Sequence, residues 1–383
     1  KVIAVDKNQS SLIKAKKMVI AEGAYETPVA FPGWTLPGVM TLGGLQILLK
    51  SQGLIPDGKV IIAGTGPLLL YTASQLVEKG ANVMAVLEAS SLSQWMKWGI
   101  RLWRMPGIMA KGFEYLNILR KHRVPVHYST VPRKAKGSES LNEIVFSRVD
   151  KNWRPIPGTE SRMAADVLCL NFGFTPSTQI SHIAGCEHVC DIQLRGWLPK
   201  YNSHYETSID GIYVAGDCTG IGGVKQAVLE GELVGNEVAR QLGHIPAGEA
   251  DERLAELTKK IEGYRWYQSF LRNIYAFRPG LLDLLTNETI VCRCEEITYE
   301  SIVRLIQNGA DRLEQIKLLS RTGMGRCQGR FCYPTLLGIF SEAVSADKAC
   351  SQDFTSRVPA KPLPLETLFD LSDSENTARQ PSS

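Results

Sequence analysis

The run Thr207–Gly235, TSIDGIYVAGDCTGIGGVKQAVLEGELVG, decides how the rest of the chain is read. Ile212, Tyr213, Val214 and Ala215 form a short apolar run, the pattern of a strand buried on both faces. Gly216 and Asp217 then place a carboxylate at the strand's carboxyl end, where open α/β sheets bind ligands. Gly220, Gly222 and Gly223 carry no Cβ, so backbone can approach a flat ring closely and adopt positive φ. A helix follows, with apolar Val224, Ala227, Val228 and Val234. Its Ala227, Gly231 and Gly235, four apart, predict a thin ridge for close packing. A helix start aimed at a ring favours negative charge there.

This segment resembles the C-terminal flavin-contacting stretch of the two-dinucleotide-binding, glutathione-reductase-like flavoproteins. The resemblance implies an α/β fold of nested Rossmann-like domains. It gives Gly216, Asp217, Gly222 and Gly223 as FAD contacts, with Asp217 on the ribityl chain and the helix start facing the isoalloxazine. An ordinary strand–turn–helix with a polar cap is the plainer alternative.

Upstream, Val2–Val5 and Lys14–Ile20 read as strands ahead of AEGAYETPVAFPGW. Ala21, Glu22, Gly23 and Ala24 resemble the A-x-G-A segment that closes the first part of the family's FAD domain, which adds Ala21 and Gly23 to the FAD contacts. The family's opening G-x-G-x-x-G is not found upstream and the chain begins at Lys1, so residues 1–50 read as an FAD-domain part whose start is missing. Pro28, Pro32, Gly33, Pro37 and Gly38 make a rigid crossover into a helix from Thr41 to about Ser51.

Residues 51–165 carry a second nucleotide-binding pattern. Lys59–Ala63 is a strand, Gly64-Thr65-Gly66 a turn, Pro67 a suitable first helical residue, and Val83–Leu87 the next strand. Glu88 ends it, near the spacing at which an acid bonds an NAD ribose. Leu69 stands where the fingerprint's third glycine belongs. Gly64, Gly66 and Glu88 are therefore candidates for NAD(P) or another nucleotide, with a unit kept only as architecture as the alternative. The stretch from Ser91 to about Arg123 reads as helical, with Trp95, Trp98 and Trp103 among basic residues; packing on its own domain or a partner is preferred over contact with a membrane surface. RKAKGSES, from Arg133, reads as a solvated turn. Residues 166–245 return to the FAD domain through NFGFTPSTQI, and 246–288 form a helical connector.

The cysteines are uneven. Of nine, four fall in VCRCEEIT…GRCQGRFC as Cys292-x-Cys294 and Cys327-x4-Cys332. Thr298 predicts a helix cap between the two pairs, with the helix running to about Gln307. Gly323, Gly325 and Gly329 provide turns whose N–H groups can point at sulfur. Four thiolates suit a 2Fe–2S cluster, two per iron, and also suit structural zinc, although zinc knuckles use C-x2–4-C. Residues 289–346 resemble the BFD-like 2Fe–2S domain (bacterioferritin-associated-ferredoxin-like) fused behind certain flavoproteins. Cys169, Cys186, Cys190, Cys218 and Cys350 show no partner pattern, apart from Cys186 and Cys190 facing each other on a helix turn. Residues 347–383 read as a disordered tail.

Composition narrows the class. A formal net charge of +4 over 383 residues does not argue for nucleic acid, and the apolar stretches are broken before a membrane span is reached. Cysteine usage fits a metal site in a reducing, cytoplasmic setting, with or without association at the membrane's inner face. Taken together, GAYETPVAFPGWTLPGVMT, GTGPLLL, VLE, GIGG, CRCEE and GMGRCQGRFC resemble the FAD/iron–sulfur subunit of multi-subunit amino-acid and opine dehydrogenases. That resemblance implies a companion D-amino-acid-oxidase-like flavoprotein that oxidises a C–N bond, and an electron acceptor beyond this chain. The other readings are an NAD(P)H-dependent reductase and a non-catalytic component of a complex.

Overall fold

The computed structural model describes residues 2–6, 9–99, 105–351, 354, 356–364 and 366–367. Trp103 and residues 368–383, which the sequence reading covered, lie outside them. Strands β1 (Val2–Asp6) and β2 (Gln9–Ile13) form an antiparallel hairpin. β3 (Met18–Ile20) is shorter than the strand expected from Lys14, because Lys14, Ala15 and Lys16 are solvent-exposed. β4 (Ala24–Glu26) leads through the proline-rich crossover to β5 (Val39–Thr41) and α1 (Leu42–Gln52). Thr41 caps α1 by accepting from the Gly44 N–H at 3.2 Å.

The central unit comprises β6 (Lys59–Gly64), α2 (Pro67–Glu78), β7 (Asn82–Glu88), α3 (Leu92–Gly99), α4 (Pro106–Lys121) and β8 (Val126–Tyr128). A meander of β9 (Thr130–Lys136), β10 (Glu143–Arg148) and β11 (Ser161–Ala164) follows, and then β12 (Val167–Asn171). β12 inserts between β5 and β6, giving a parallel sheet of order β5-β12-β6-β7-β8. The unbroken apolar run of β6 has a direct cause. Val60 and Ile62 face the helices α1, α2 and α4, while Ile61 and Ala63 face the meander's Val131, Ala135, Ile144 and Phe146. Arg133–Lys136, expected as turn, continue β9, since Ala135 alternates inward; the turn begins at Gly137.

The chain returns through β13 (Phe174–Pro176), α5 (Gln179–Ile183), β14 (His188–Asp191) and β15 (Gly196–Pro199) to β16 (Ile212–Val214) and α6 (Val224–Gln241). β16 pairs in parallel with β3. The small-residue ridge on α6 packs at Ala227, where a Cβ on Gly216 would lie 3.4 Å from the Ala227 Cβ, but is open at Gly231 and Gly235, and Val224 and Val228 are exposed. The helix buries Gln226, Glu230, Leu233, Val234 and Glu237 instead. α7 (Ala247–Tyr275) then runs unbroken, its charged first half on α6 and its aromatic end against Leu194 and Ile221.

The last unit is β17 (Ile290–Cys292), β18 (Ile297–Thr298), α8 (Tyr299–Gln307), α9 (Leu313–Ser320), α10 (Tyr333–Ala343) and α11 (Ala346–Ala349). Thr298 caps α8 as expected. α11 corrects the expectation of disorder from residue 347, and Cys350 forms a disulfide with Cys190. Cys190 therefore does not pair with Cys186, whose thiol bonds the Thr207 hydroxyl. Among the described residues, no helix is long and apolar enough to cross a membrane.

Three side chains fix this unit on the flavoprotein half. Trp34 donates to the Ile290 carbonyl at 2.6 Å, Trp197 donates to the Tyr333 hydroxyl at 2.8 Å, and Arg195 donates to the Pro334 carbonyl at 3.2 Å. The Arg195 guanidinium also lies 3.2 Å from the Phe277 ring centre, and burial pushes its pKa down to about 9. A Cβ on Gly338 would occupy the position of its Nη1. Gly338→Ala should therefore cost ~1–3 kcal/mol in urea unfolding, as overpacking does. Gly231→Ala, in open helix, should instead gain ~0.5–1 kcal/mol. Equal stability of Gly338→Ala and the parent would mean that Arg195 is not seated there.

Candidate functional site

The first part of the site grows from the β3–β16 seam. Val214 is registered with Ile20, and the Ala215 N–H donates to the Ile20 carbonyl at 3.0 Å. That register sets the loop beginning at Ala21 beside the turn beginning at Gly216. Gly23 has φ +71 with open space around it, and its carbonyl accepts from the Ser177 N–H. Gly216 and Gly223 have φ +82 and +80. Asp217 Oδ1 accepts the N–H groups of Gly222 and Gly223, both at 3.0 Å, which shapes the glycine turn. α6 then starts at the N-cap Gly223 with no acidic residue in its first turn, and the Asp217 carboxylate lies on the N–H groups that precede that turn.

Two carboxylates that the sequence reading did not single out support this arrangement. Glu230, 1 % exposed, accepts from the Gly216 N–H at 2.8 Å and from Gln226, Thr219 and Tyr205. Burial raises its pKa against those donors. Glu22 accepts from the Ile180 N–H and the Ser177 hydroxyl, and burial raises it too. The sequence signal for Glu230 was the i, i+4 pair Gln226–Glu230 on α6.

The second loop is built differently. Gly64 and Gly66 have φ +147 and +99. Glu88, 2 % exposed, accepts from the Thr65 hydroxyl at 2.8 Å, the Gly66 N–H at 3.1 Å and the Ser90 N–H at 2.8 Å. Its carboxylate thus serves the loop that precedes it. Burial pushes its pKa up to about 7, against the pull of these donors.

The four cysteines of the C-terminal unit come together as two pairs. The Cys332 thiol donates to Cys292, to which the N–H groups of Gly323, Glu295 and Cys294 also point; against burial, these pull Cys292 down to about 6. That same bond, followed by burial, holds Cys332 well above the usual thiol range. Cys294 pairs with Cys327, which burial raises and toward which the Phe331 and Gly329 N–H groups point. Among the described residues, no three His, Cys, Asp or Glu side chains converge as a single metal ion requires. Two thiol pairs ringed by backbone donors match the two thiolates per iron that a 2Fe–2S cluster takes.

Residues 1–231 match the pyridine nucleotide-disulphide oxidoreductase model, and residues 290–342 match the BFD-like [2Fe-2S] binding domain. The chain belongs to the pyridine nucleotide-disulphide oxidoreductase family. That membership implies FAD and NAD(P) binding, and the second domain implies a 2Fe–2S cluster. The chain is 33% identical over 321 residues to hydrogen cyanide synthase subunit HcnB of Pseudomonas aeruginosa, covering 84% of this chain and 69% of the relative. It is 34% identical over 366 residues to an opine oxidase subunit of Agrobacterium tumefaciens, covering 94% and 70%. The structure of L-proline dehydrogenase from P. horikoshii shares the fold, with a TM-score of 0.64 at 20% identity over 96% of this chain and 61% of that one.

The fit of FAD rests on the cradle of glycines at Gly23, Gly216 and Gly223, beside the start of α6 with no acidic residue in its first turn. The self-satisfied loop around Glu88 has a pH consequence. A carboxyl whose folded pKa lies above its unfolded value favours folding while protonated. That contribution is whole below about 4.5 and is lost as pH rises through about 7. The melting temperature of Glu88→Gln relative to the parent should therefore shift in the variant's favour between about pH 5 and about pH 8. A pH-independent difference would remove Glu88 as the titrating group.

Proposed function

We propose that this chain is the flavin/iron–sulfur electron-transfer subunit of a hetero-oligomeric amino-acid, imino-acid or opine dehydrogenase. Its partner in this reading is a D-amino-acid-oxidase-like flavoprotein that oxidises the C–N bond. The observation that carries the reading is the seating of two thiol pairs directly on a flavoprotein half, through Trp34, Arg195 and Trp197. When bound, FAD exchanges electrons in pairs or singly, and a 2Fe–2S cluster carries them singly. The named relatives, subunits of a hydrogen cyanide synthase and of an opine oxidase, support amino-acid-derived substrates and a multi-subunit assembly.

The chain's own residues provide the electrostatics for such a role. The start of α6, with Lys225 in its first turn, favours negative charge on the neighbouring ring. Asp217, Gly216, Gly222 and Gly223, with Ala21 and Gly23 across the seam, would hold the flavin. Cys292, Cys294, Cys327 and Cys332 would hold the cluster, with backbone N–H groups offsetting thiolate charge. Substrate chemistry, including any proton abstraction, is assigned to the partner.

Anaerobically prepared protein should contain iron and acid-labile sulfide in equal amounts. Cys292→Ser or Cys332→Ser should abolish both, while Cys169→Ser leaves them. Zinc without sulfide would overturn the cluster. In the assembled complex, addition of imino acid or opine should reduce the cluster, as read by electron paramagnetic resonance. A cluster that stays oxidised through turnover would reduce this chain to a structural role.

A further inference from the structure

The second dinucleotide loop keeps its shape, but the space in front of it is filled. In a loop of this kind the second glycine has no side chain so that a diphosphate can approach the backbone. At Gly66 that space is taken from elsewhere in the chain. Tyr275, the last residue of α7, is buried, and a Cβ built on Gly66 would fall within the outer edge of its ring, at Cε1, Cζ and the hydroxyl. The inner part of the same side chain lies against Gly173, where a Cβ would be 2.9 Å from the Tyr275 Cβ and 3.3 Å from Cγ and Cδ1. Phe174 packs edge-on against the ring at 5.5 Å between centres. Leu194, Ile221, Phe270, Leu271 and Ile274 complete the cluster that holds it. The ring is thus clamped between two glycines, one of them the glycine a diphosphate would need.

The polar side of the loop agrees. The Gly66 N–H that would face a phosphate donates to Glu88 at 3.1 Å, and Pro67, next in the chain, has no N–H. Glu88 also holds Thr65 and the Ser90 N–H, so neither its carboxylate nor that donor stands free for a ribose or a phosphate. A diphosphate entering here would have to displace a packed aromatic ring and meet a carboxyl group. The first is a core disruption, and the second becomes repulsion once Glu88 ionises.

We propose that Tyr275 closes the second dinucleotide groove and thereby excludes NADH and NADPH as electron donors to this chain. The electrons must then arrive by another route. The groove's closure stands on Gly66, Tyr275 and Glu88 alone and does not depend on which partner or substrate feeds the chain.

The decisive comparison uses the full holoprotein, with flavin and cluster in place, titrated anaerobically with NADH and NADPH. Binding is read by equilibrium dialysis, and flavin reduction by bleaching of the visible band. Tyr275→Leu keeps the atoms against Gly173 and vacates those against Gly66; Tyr275→Met does the same with a more adaptable chain, in case the branched residue does not fold. Tyr275→Phe retains the ring. The parent and Tyr275→Phe should bind neither nucleotide at millimolar concentration and show no bleaching. Tyr275→Leu or Tyr275→Met, with cluster absorbance intact, should gain nucleotide affinity by at least about tenfold. Nucleotide binding or bleaching in the parent would overturn the proposal, as would a folded ring-less variant that gains no affinity.

Discussion

The two halves of the flavoprotein are stitched together where the chain crosses between them twice. The outgoing strand β4 pairs with the returning strand β13, Thr175 opposite Tyr25. Thr27 and Thr175 share a buried hydroxyl–hydroxyl bond of 2.8 Å, and Glu26 accepts from both the Gly43 N–H and the Asn171 amide. Because β12 ends at Asn171 and α1 begins at Leu42, one carboxylate ties the return strand, the outgoing helix and the crossover together. The knot meets β12 at its last residue, Asn171, which is also registered with Gly64 at the end of β6. Buried polar groups of this kind add specificity only when every partner is present, and here each is.

The same principle explains why α6 turns polar residues inward. A helix that packs only on apolar neighbours would bury Val224 and Val228, yet those are exposed and Glu230 is not. The turn from β16 into α6 leaves the Gly216 N–H pointing inward, and an unpaired buried amide costs more than a hydrogen-bonded carboxyl. Glu230 supplies that acceptor, and Gln226, Thr219 and Tyr205 complete its shell. The flavin segment is thus shaped by two carboxylates from opposite directions, Asp217 on the glycine turn and Glu230 behind it.

Much of this was legible in the sequence because it is local. Lys59–Ala63 and Val83–Leu87 carry continuous apolar runs that only a doubly covered strand needs, and Thr41 and Thr298 sit at the starts of helices they cap. The cysteine spacing announced a thiolate site, since C-x-C and C-x4-C with intervening glycines leave few other uses. What escaped was long-range. Nothing near Arg195 reveals that Gly338 makes room for it, and nothing near Cys190 points to Cys350, 160 residues away. Glu88 was read from its spacing, which fixes the strand end but not the direction of the carboxylate. The helical connector was visible; that its Tyr275 would reach back to Gly66 was not, because helix length and packing angle decide it.

The seating of the cluster unit shows what long-range contacts add. Desolvating a guanidinium is costly, and the Pro334 carbonyl, the Phe277 ring and the Glu342 charge offset that cost for Arg195 where Gly338 leaves it room. Pro334 and Gly338 both lie on α10, so Arg195 fixes that helix at two points. Trp34 and Trp197 add bonds to Ile290 and Tyr333, close in the chain to Cys292 and Cys332 of the site. The Cys190–Cys350 disulfide ties the chain beyond α11 to β14 on the same half. The C-terminal unit is thus held on the flavoprotein half by three side-chain bonds and a disulfide. Tyr275 belongs to the same logic: the connector that carries the chain from α6 to the cluster unit ends by filling the space in front of Gly66.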